Sequence, residues 1–274
     1  MRTIIGKTAV VTGASRGIGV YIARALAAEG ANLVLAARSS AELEGLAAEL
    51  RGQEARVIAA PVDVVQLDGQ TALLTAAEAA FGAVDILVNN AGLDFYGAYH
   101  ELALEDIEPL IRLNVLAPMQ LTRRLLPGML ARRWGHIVNL SSLAGKFTPA
   151  YHEAYNTSKA ALIHFTLSLR ASYRGTGVSA SAVTPGFVHS AGMFQTIMDE
   201  TGIRPAPMVG ASSPEAVAQA VVRAVREDLP EVVVSPRPIW PLVVLKTFFP
   251  RFTERIQSRL GNDVFRQAAE RPKG

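Results

Sequence analysis

The sequence predicts an α/β protein: a doubly wound parallel sheet of about seven strands, helices on both faces, one domain plus a C-terminal extension. Three observations predict it. Short Val/Ile/Leu runs alternate with longer stretches whose apolar residues recur at helical spacing. The short runs are nearly continuous in apolar residues, as strands are when helices cover both faces of their sheet. A glycine-rich turn, "TGASRGIG" over residues 12–19, joins the first such run to the first helical stretch.

The elements follow in order. "TAVVTG" (8–13) reads as a strand, and "GIGVYIARALAAEG" (17–30) as a helix that Gly30 closes. "NLVLAA" (32–37) is the second strand, and "SAELEGLAAEL" (40–50) a helix with Ser40 as its cap. "ARVIAAPV" (55–62), "VDILVNN" (84–90), "GHIVNLSS" (135–142), "VSASAVTPG" (178–186) and "EVVV" (231–234) are the remaining strands, with helical patterns between them. No linker, low-complexity tract or solenoid repeat interrupts residues 1–235, which therefore read as one domain. Two stretches depart from the alternation. Residues 187–211 form a long segment after a strand and carry Met193, Phe194, Ile197, Met198 and Met208. Residues 236–252, "PRPIWPLVVLKTFFPRF", are apolar and aromatic, broken by Pro241 and Pro250, and open an extension that runs to residue 274.

Composition narrows the function classes. The formal charge is only +3 over 274 residues and the basic residues are scattered, so no nucleic-acid groove is expected. The chain has no cysteine, which excludes disulfides, thiolate zinc sites and a cysteine nucleophile, and fits a reducing, cytoplasmic setting. No cluster of ligand-type residues points to a metal. "MRTIIGKTAVVTG" is not expected to act as a secretory signal, and no stretch reaches the roughly 20 apolar residues of a membrane span.

In the glycine loop, Gly13, Gly17 and Gly19 allow a sharp turn and a close approach to a pyrophosphate, which the following helix N-terminus attracts. The spacing is not the standard G-x-G-x-x-G. The same letters, Gly13-x-Ser15-x-Gly17, also spell a hydrolase nucleophile elbow. Against that reading, the loop follows the very first strand, and an elbow gives a third glycine no task. A plain tight turn is the remaining alternative. At the end of the second strand an acid would favour NAD by binding the ribose hydroxyls. Ala36-Ala37-Arg38-Ser39 stands there instead. Arg38 and the loop's Arg16 can pair with a ribose phosphate, which favours NADP(H); otherwise both are solvated surface residues. Downstream, Tyr151, Tyr155 and Lys159 are four apart, the spacing that places all three on one helix face.

"TGASRGIG", "NNAG" (89–92), "SS" (141–142), "YNTSK" (155–159) and "PG" (185–186) occur together, in an order and spacing that resembles the short-chain dehydrogenase/reductases over roughly residues 5 to 235. That family has a Rossmann-type sheet. The resemblance implies that Tyr155 is the catalytic acid/base, with Lys159 one turn later binding the nicotinamide ribose and favouring the phenolate by its charge. It implies that Ser142, rather than Ser141, polarises the substrate carbonyl. Asn114, in "RLNVLAP", corresponds to the asparagine that holds a helix bend and a water linked to the lysine. Gly13, Ser15, Arg16, Gly17, Ile18 and Gly19 would form the phosphate loop. Asp63 and Val64 would lie at the adenine, where an ordinary turn aspartate is the alternative, and Asn90, Ala91 and Gly92 under the cofactor. Pro185, Gly186, Val188 and Ser190 would line its nicotinamide side, Ser190 standing where threonine is usual. Tyr151 is left as a packing or pocket-wall residue, and His152 and His189 as loop or substrate-wall residues without a visible carboxylate partner.

The reaction implied is hydride transfer between NADP(H) and a carbonyl or secondary alcohol, in a homodimer or homotetramer. Residues 187–211 match the family's substrate lid, and their methionines and phenylalanine suggest a small lipophilic substrate. For the 236–274 extension three readings compete: packing on its own subunit or a partner, a peripheral membrane contact through Trp240, Phe248 and Phe249 beside Lys246, Arg251 and Arg255, or ordinary surface packing. Two rival functions stand beside the enzyme, a catalytically silent NADP-binding module and the serine hydrolase of the elbow pattern.

Overall fold

A computed structural model describes residues 1–192, 195, 198, 202 and 210–254 of the chain. Its seven strands are β1 (Thr8–Thr12), β2 (Asn32–Ala37), β3 (Val57–Pro61), β4 (Ile86–Asn89), β5 (Gly135–Leu140), β6 (Val178–Pro185) and β7 (Glu231–Val234). They form one parallel sheet in the order β3-β2-β1-β4-β5-β6-β7. All seven fall inside the predicted runs. The runs end late where β4 and β5 stop, because pairing ends at Asn89↔Asn139 and Leu140↔Val183, leaving Asn90, Ser141 and Ser142 in loops above the sheet.

Helices cover both faces. On one lie α1 (Ile18–Ala28) and α2 (Ser40–Arg51), with α8 (Pro214–Arg226) packed along α1. Their Ile22, Leu26, Leu43, Leu50 and Val221 bury against Val11, Leu33, Leu35 and Val88 of the sheet. On the other face α3 (Leu67–Phe81) and α5 (Ala117–Ala131) place Leu73, Leu121 and Met129 over Val10, Val34, Leu87 and Ile137. The long α7 (Glu153–Ser172) joins that face, packed along β6 and preceded by α4 (Leu104–Ile111) and the short α6 (Ala144–Phe147). Alternate strand residues thus enter opposite cores, which explains why the strands are apolar throughout. Each leucine buried this way contributes about 2 kcal/mol by area transfer.

Two helix ends illustrate the local logic. Gly30 takes φ 76, a left-handed value that suits glycine, and its N–H bonds Ala27 O at 2.8 Å to finish α1 as predicted. At α2 the cap is Ser39, not Ser40. Ser39 keeps the extended backbone a cap needs, whereas Ser40 is already helical, and the Ser39 hydroxyl makes no capping bond. The strand order reverses between β1 and β4, the switch point at whose C-terminal crevice doubly wound sheets bind ligands.

Candidate active site

The glycine loop leaves β1 and turns into α1 through Gly13 and Gly17, at φ 66 and 61. A Cβ on Gly13 would lie 2.8 Å from the Ala91 Cα, and one on Gly19 only 2.1 Å from the Gly13 carbonyl oxygen. Gly19 therefore lets the helix start press against the loop, the task an elbow reading leaves unassigned. Asn90 holds the other side: its Nδ2 donates to Thr12 O at 2.9 Å and Gly13 O at 3.1 Å. Thr12 Oγ1 in turn accepts the N–H groups of Asn90 and Ala91, at 3.0 and 3.1 Å. The first turn of α1 has no acidic residue, so its free N–H groups face no competing anion. This side-chain-free cradle fits a dinucleotide pyrophosphate, with Ser15, Arg16, Gly17 and Ile18 at its lip and Gly92 beyond Ala91.

The Ala14 N–H bonds Ala36 O at 3.2 Å, which brings the loop alongside the end of β2. Arg16 and Arg38 are both exposed at that edge and form no ion pair among the described residues. Asp63 follows β3 and accepts the Val65 N–H at 2.9 Å, so it does organise a turn. Val64 is buried in the core and presents no side chain to the crevice; its carbonyl accepts Gln70 Nε2 at 2.8 Å. On the far side, Leu143 N–H bonds Pro185 O and Gly186 N–H bonds Val234 O, both at 2.9 Å. Val188 bridges to Ser212. Ser190 takes φ 62, and its hydroxyl lies 3.0 Å from His189 Nδ1.

Between these two sides stand the candidate catalytic groups. Ser142 stands beside the Tyr155 phenol and acts on its ionisation, and its Oγ accepts the Ala144 N–H at 3.1 Å. Ser141 donates to Lys159 O at 2.7 Å, so the two serines have different partners. Lys159 is buried, donates through Nζ to Leu140 O at 2.9 Å, and lies 5.5 Å from the centre of the Tyr155 ring. Asn114 sits in a five-residue π turn, Arg112–Leu116, that bends the path from α4 into α5. Its amide closes two bonds with Leu93, at 2.8 and 2.9 Å, and donates to Ser158 Oγ at 3.0 Å. Thus Asn114 braces the chain beside Tyr155 from below, since Ser158 donates onward to Tyr155 O at 2.8 Å.

Burial sets the charge states. It raises the Tyr155 phenol above its ordinary value, the Asp94 carboxylate raises it further, and the Ser142 hydrogen bond opposes both. Burial pushes Lys159 down to about 8, against the pull of Asp94. The sequence had implied that Lys159 would favour the phenolate. Burial and Asp94 act the other way on the phenol, toward its protonated form.

Asp94 was missed in the sequence. Its carboxylate accepts from His152 Nε2, and both side chains are almost wholly buried. The His152 ring stacks on Tyr155 with centroids 4.7 Å apart and planes at 19°. His152 thus has a carboxylate partner that the sequence did not make visible. Its position three residues before Tyr155 could have signalled the stacking, but Asp94 lies 58 positions away and no local pattern links them. Tyr151 is corrected. It does not share a helix face with Tyr155 and Lys159, because α7 begins at Glu153 and Tyr151 stands outside it at φ 62. Its carbonyl instead accepts the Gly97 N–H at 2.9 Å, tying the Asp94 loop to the head of α7. Leu93, Phe95, Ile107, Leu110, Ile111 and Ala144 pack with Tyr155 into an apolar cluster beside the site. Met193, Phe194, Ile197 and Met208 of the expected lid lie outside the described residues.

The family model described as short chain dehydrogenase matches residues 7–202. The ketoacyl reductase HetN of Nostoc sp. is 42% identical over 239 residues, which is 87% of this chain and 82% of that protein. L-Sorbose reductase from Gluconobacter frateurii, solved with NADPH and L-sorbose, has TM-score 0.78 and 31% identity, covering 86% of this chain and 97% of its own. A short-chain dehydrogenase/reductase from Burkholderia phymatum, solved with NAD, has TM-score 0.79 and 29% identity, covering 96% and 98%.

Proposed function

The chain belongs to the short-chain dehydrogenase/reductase family and is an oxidoreductase, and from that premise we propose that it interconverts a carbonyl and a secondary alcohol on a lipophilic substrate with NADP(H), Tyr155 acting as general acid/base. The observation that carries the reading is the buried Tyr155 with Lys159 one turn along α7, its Nζ 5.5 Å from the Tyr155 ring, and with Ser142 acting on the phenol. The bound reduced cofactor supplies a hydride to the carbonyl carbon. Ser142 and Tyr155 donate to the carbonyl oxygen as negative charge develops on it. Tyr155 then gives up its proton to the nascent alcohol. Lys159, held down to about 8, exchanges protons readily near neutral pH and is the group from which Tyr155 is recharged, through water braced by the Asn114 bend.

The NADP(H) preference rests on Arg16 and Arg38 and on the lack of an acid after β2. A relative solved with NADPH supports it, while the Burkholderia phymatum protein was solved with NAD. Asp63, through the carboxylate oxygen not used on Val65, would meet the adenine. Lipophilic specificity rests on the apolar cluster around Tyr155 and on the ketoacyl reductase relative. A homodimer or homotetramer in a reducing, cytoplasmic setting completes the reading, in keeping with a chain free of cysteine. The test is a panel of ketones, acyl ketones and alcohols followed by NADPH absorbance and repeated with NADH. Turnover of apolar carbonyls, faster with NADPH, is the expected result. Tight NADPH binding without turnover of any panel member would favour the silent binding module instead.

A further inference from the structure

We propose that the segment around α9 (Trp240–Phe248) is an interfacial anchor that docks the protein onto an anionic lipid surface. The segment is apolar on the outside. Trp240 is 69% exposed, Phe248 72% and Phe249 60%, and Leu242, Val244 and Phe252 are exposed as well. Trp240, Val244 and Phe248 follow one another at four-residue steps and form a single outward stripe. Among the described residues nothing covers most of Trp240 or Phe248, and Val244 is about half exposed. Helix α9 is held from its other side, where Lys246 Nζ donates to Lys146 O at 2.9 Å and Thr148 Oγ1 at 3.0 Å. Those partners lie in the stretch between Ser142 and Tyr155, so the stripe is anchored beside the active site.

Charge selects the occupant. Residues 236–253 contain Arg237, Lys246 and Arg251 and no acid. Residues 236–274 hold eight Lys/Arg and three Asp/Glu out of 27 and 24 in the whole chain, so this segment carries +5 and residues 1–235 carry −2. Aromatic residues flanked by cations, on a helix far shorter than the roughly 20 residues of a span, describe an element that lies in a headgroup region. Among the described residues no helix is long and apolar enough to cross a membrane. A second copy of the chain fits less well, since a two-fold interface would set Arg237 and Arg251, with Glu254 the one acid of residues 236–254, against their own copies.

The test uses the full-length protein with sedimented vesicles of phosphatidylcholine alone or mixed with phosphatidylglycerol. It reads binding, not turnover, and so stands apart from the proposed reaction. Binding to the mixed vesicles should exceed binding to phosphatidylcholine by about ten-fold or more and fall as salt rises. Trp240→Glu with Phe248→Glu should cut it by about ten-fold or more while NADPH binding stays unchanged. Arg237→Glu with Arg251→Glu should erase the preference for the anionic lipid. In the unsubstituted protein, brominated lipid should quench tryptophan emission. Absence of binding to the mixed vesicles would overturn the proposal, as would binding indifferent to both variants. So would a vesicle-inert protein whose Trp240→Glu/Phe248→Glu variant sediments at half the mass, because the stripe would then join two copies of the chain.

Discussion

At the N-terminal ends of β5 and β6, His136 is wholly buried with a partner on each ring nitrogen. Arg2 can only donate, so Nδ1 accepts from it at 3.3 Å, and Nε2–H donates to Ser181 Oγ at 2.8 Å. Ser181 Oγ–H in turn donates a hydrogen bond to Leu229 O. Arg2 continues to Gly135 O and Gly177 O, and Asp228 pairs with Arg170 at 2.8 Å. Burial foremost, then the charge of Arg2, pushes His136 down to about 3 and keeps it neutral. At the C-terminal end of β5 and its following loop, burial again shifts Tyr155 and Lys159 toward their neutral forms. There, however, Lys159 Nζ uses one of its three N–H groups on Leu140. The same desolvation acts at one end on a histidine with both ring nitrogens engaged and at the other on the pair proposed to transfer the proton. The difference lies in whether the polar atoms are fully engaged by the protein or left for a ligand to complete.

Replacing one group at each end separates the two behaviours. Tyr155→Phe should lower turnover by about 10²–10⁴-fold while NADPH binding, read by fluorescence, stays within about two-fold. Full activity in that variant would remove Tyr155 from the mechanism. Gly19→Ala places a Cβ 2.1 Å from the Gly13 oxygen and should weaken NADPH binding by about ten-fold or more, together with a lower Tm.

The locked end should show itself as acid sensitivity rather than lost catalysis. His136 is held at about 3 against 6.5 when unfolded, so between those values the unfolded chain binds the extra proton. Stability is full above pH 6.5 and is lost progressively as the pH falls toward 3, by about 2 kcal/mol at pH 5 from this group. Urea unfolding at pH 7 and pH 5 measures it, and His136→Gln should flatten the difference. Asp94→Asn removes a charge that raises both Tyr155 and Lys159, so the limb of the alcohol-oxidation profile that reports Tyr155 should move to lower pH. An unmoved profile would reduce Asp94 to a packing role. The smallest effect is expected from Tyr151→Phe, which should keep turnover within about three-fold because Tyr151 lies off α7 and meets its neighbours through its backbone.

Periodicity and glycine placement are local properties, and local patterning was enough for all seven strands and the glycine turn after the first; Ser142, Tyr155 and Lys159 were singled out by the family resemblance of their motifs. Ser142 was set apart from Ser141 by its distance to Tyr155, the spacing of the family motif it resembles. Ser39 displaced Ser40 as cap, and Tyr151 left the helix, because an exact boundary depends on one residue's backbone angles, which neighbours across the fold restrain. Three further features came only with folding. Asp94 reaches His152 over 58 positions, Arg2 reaches His136 over 134, and Lys246 reaches Lys146 over 100. No spacing rule spans such distances. The direction in which Tyr155 shifts belongs with them, since desolvation is set by everything packed around the phenol and not by the lysine four residues along its own helix.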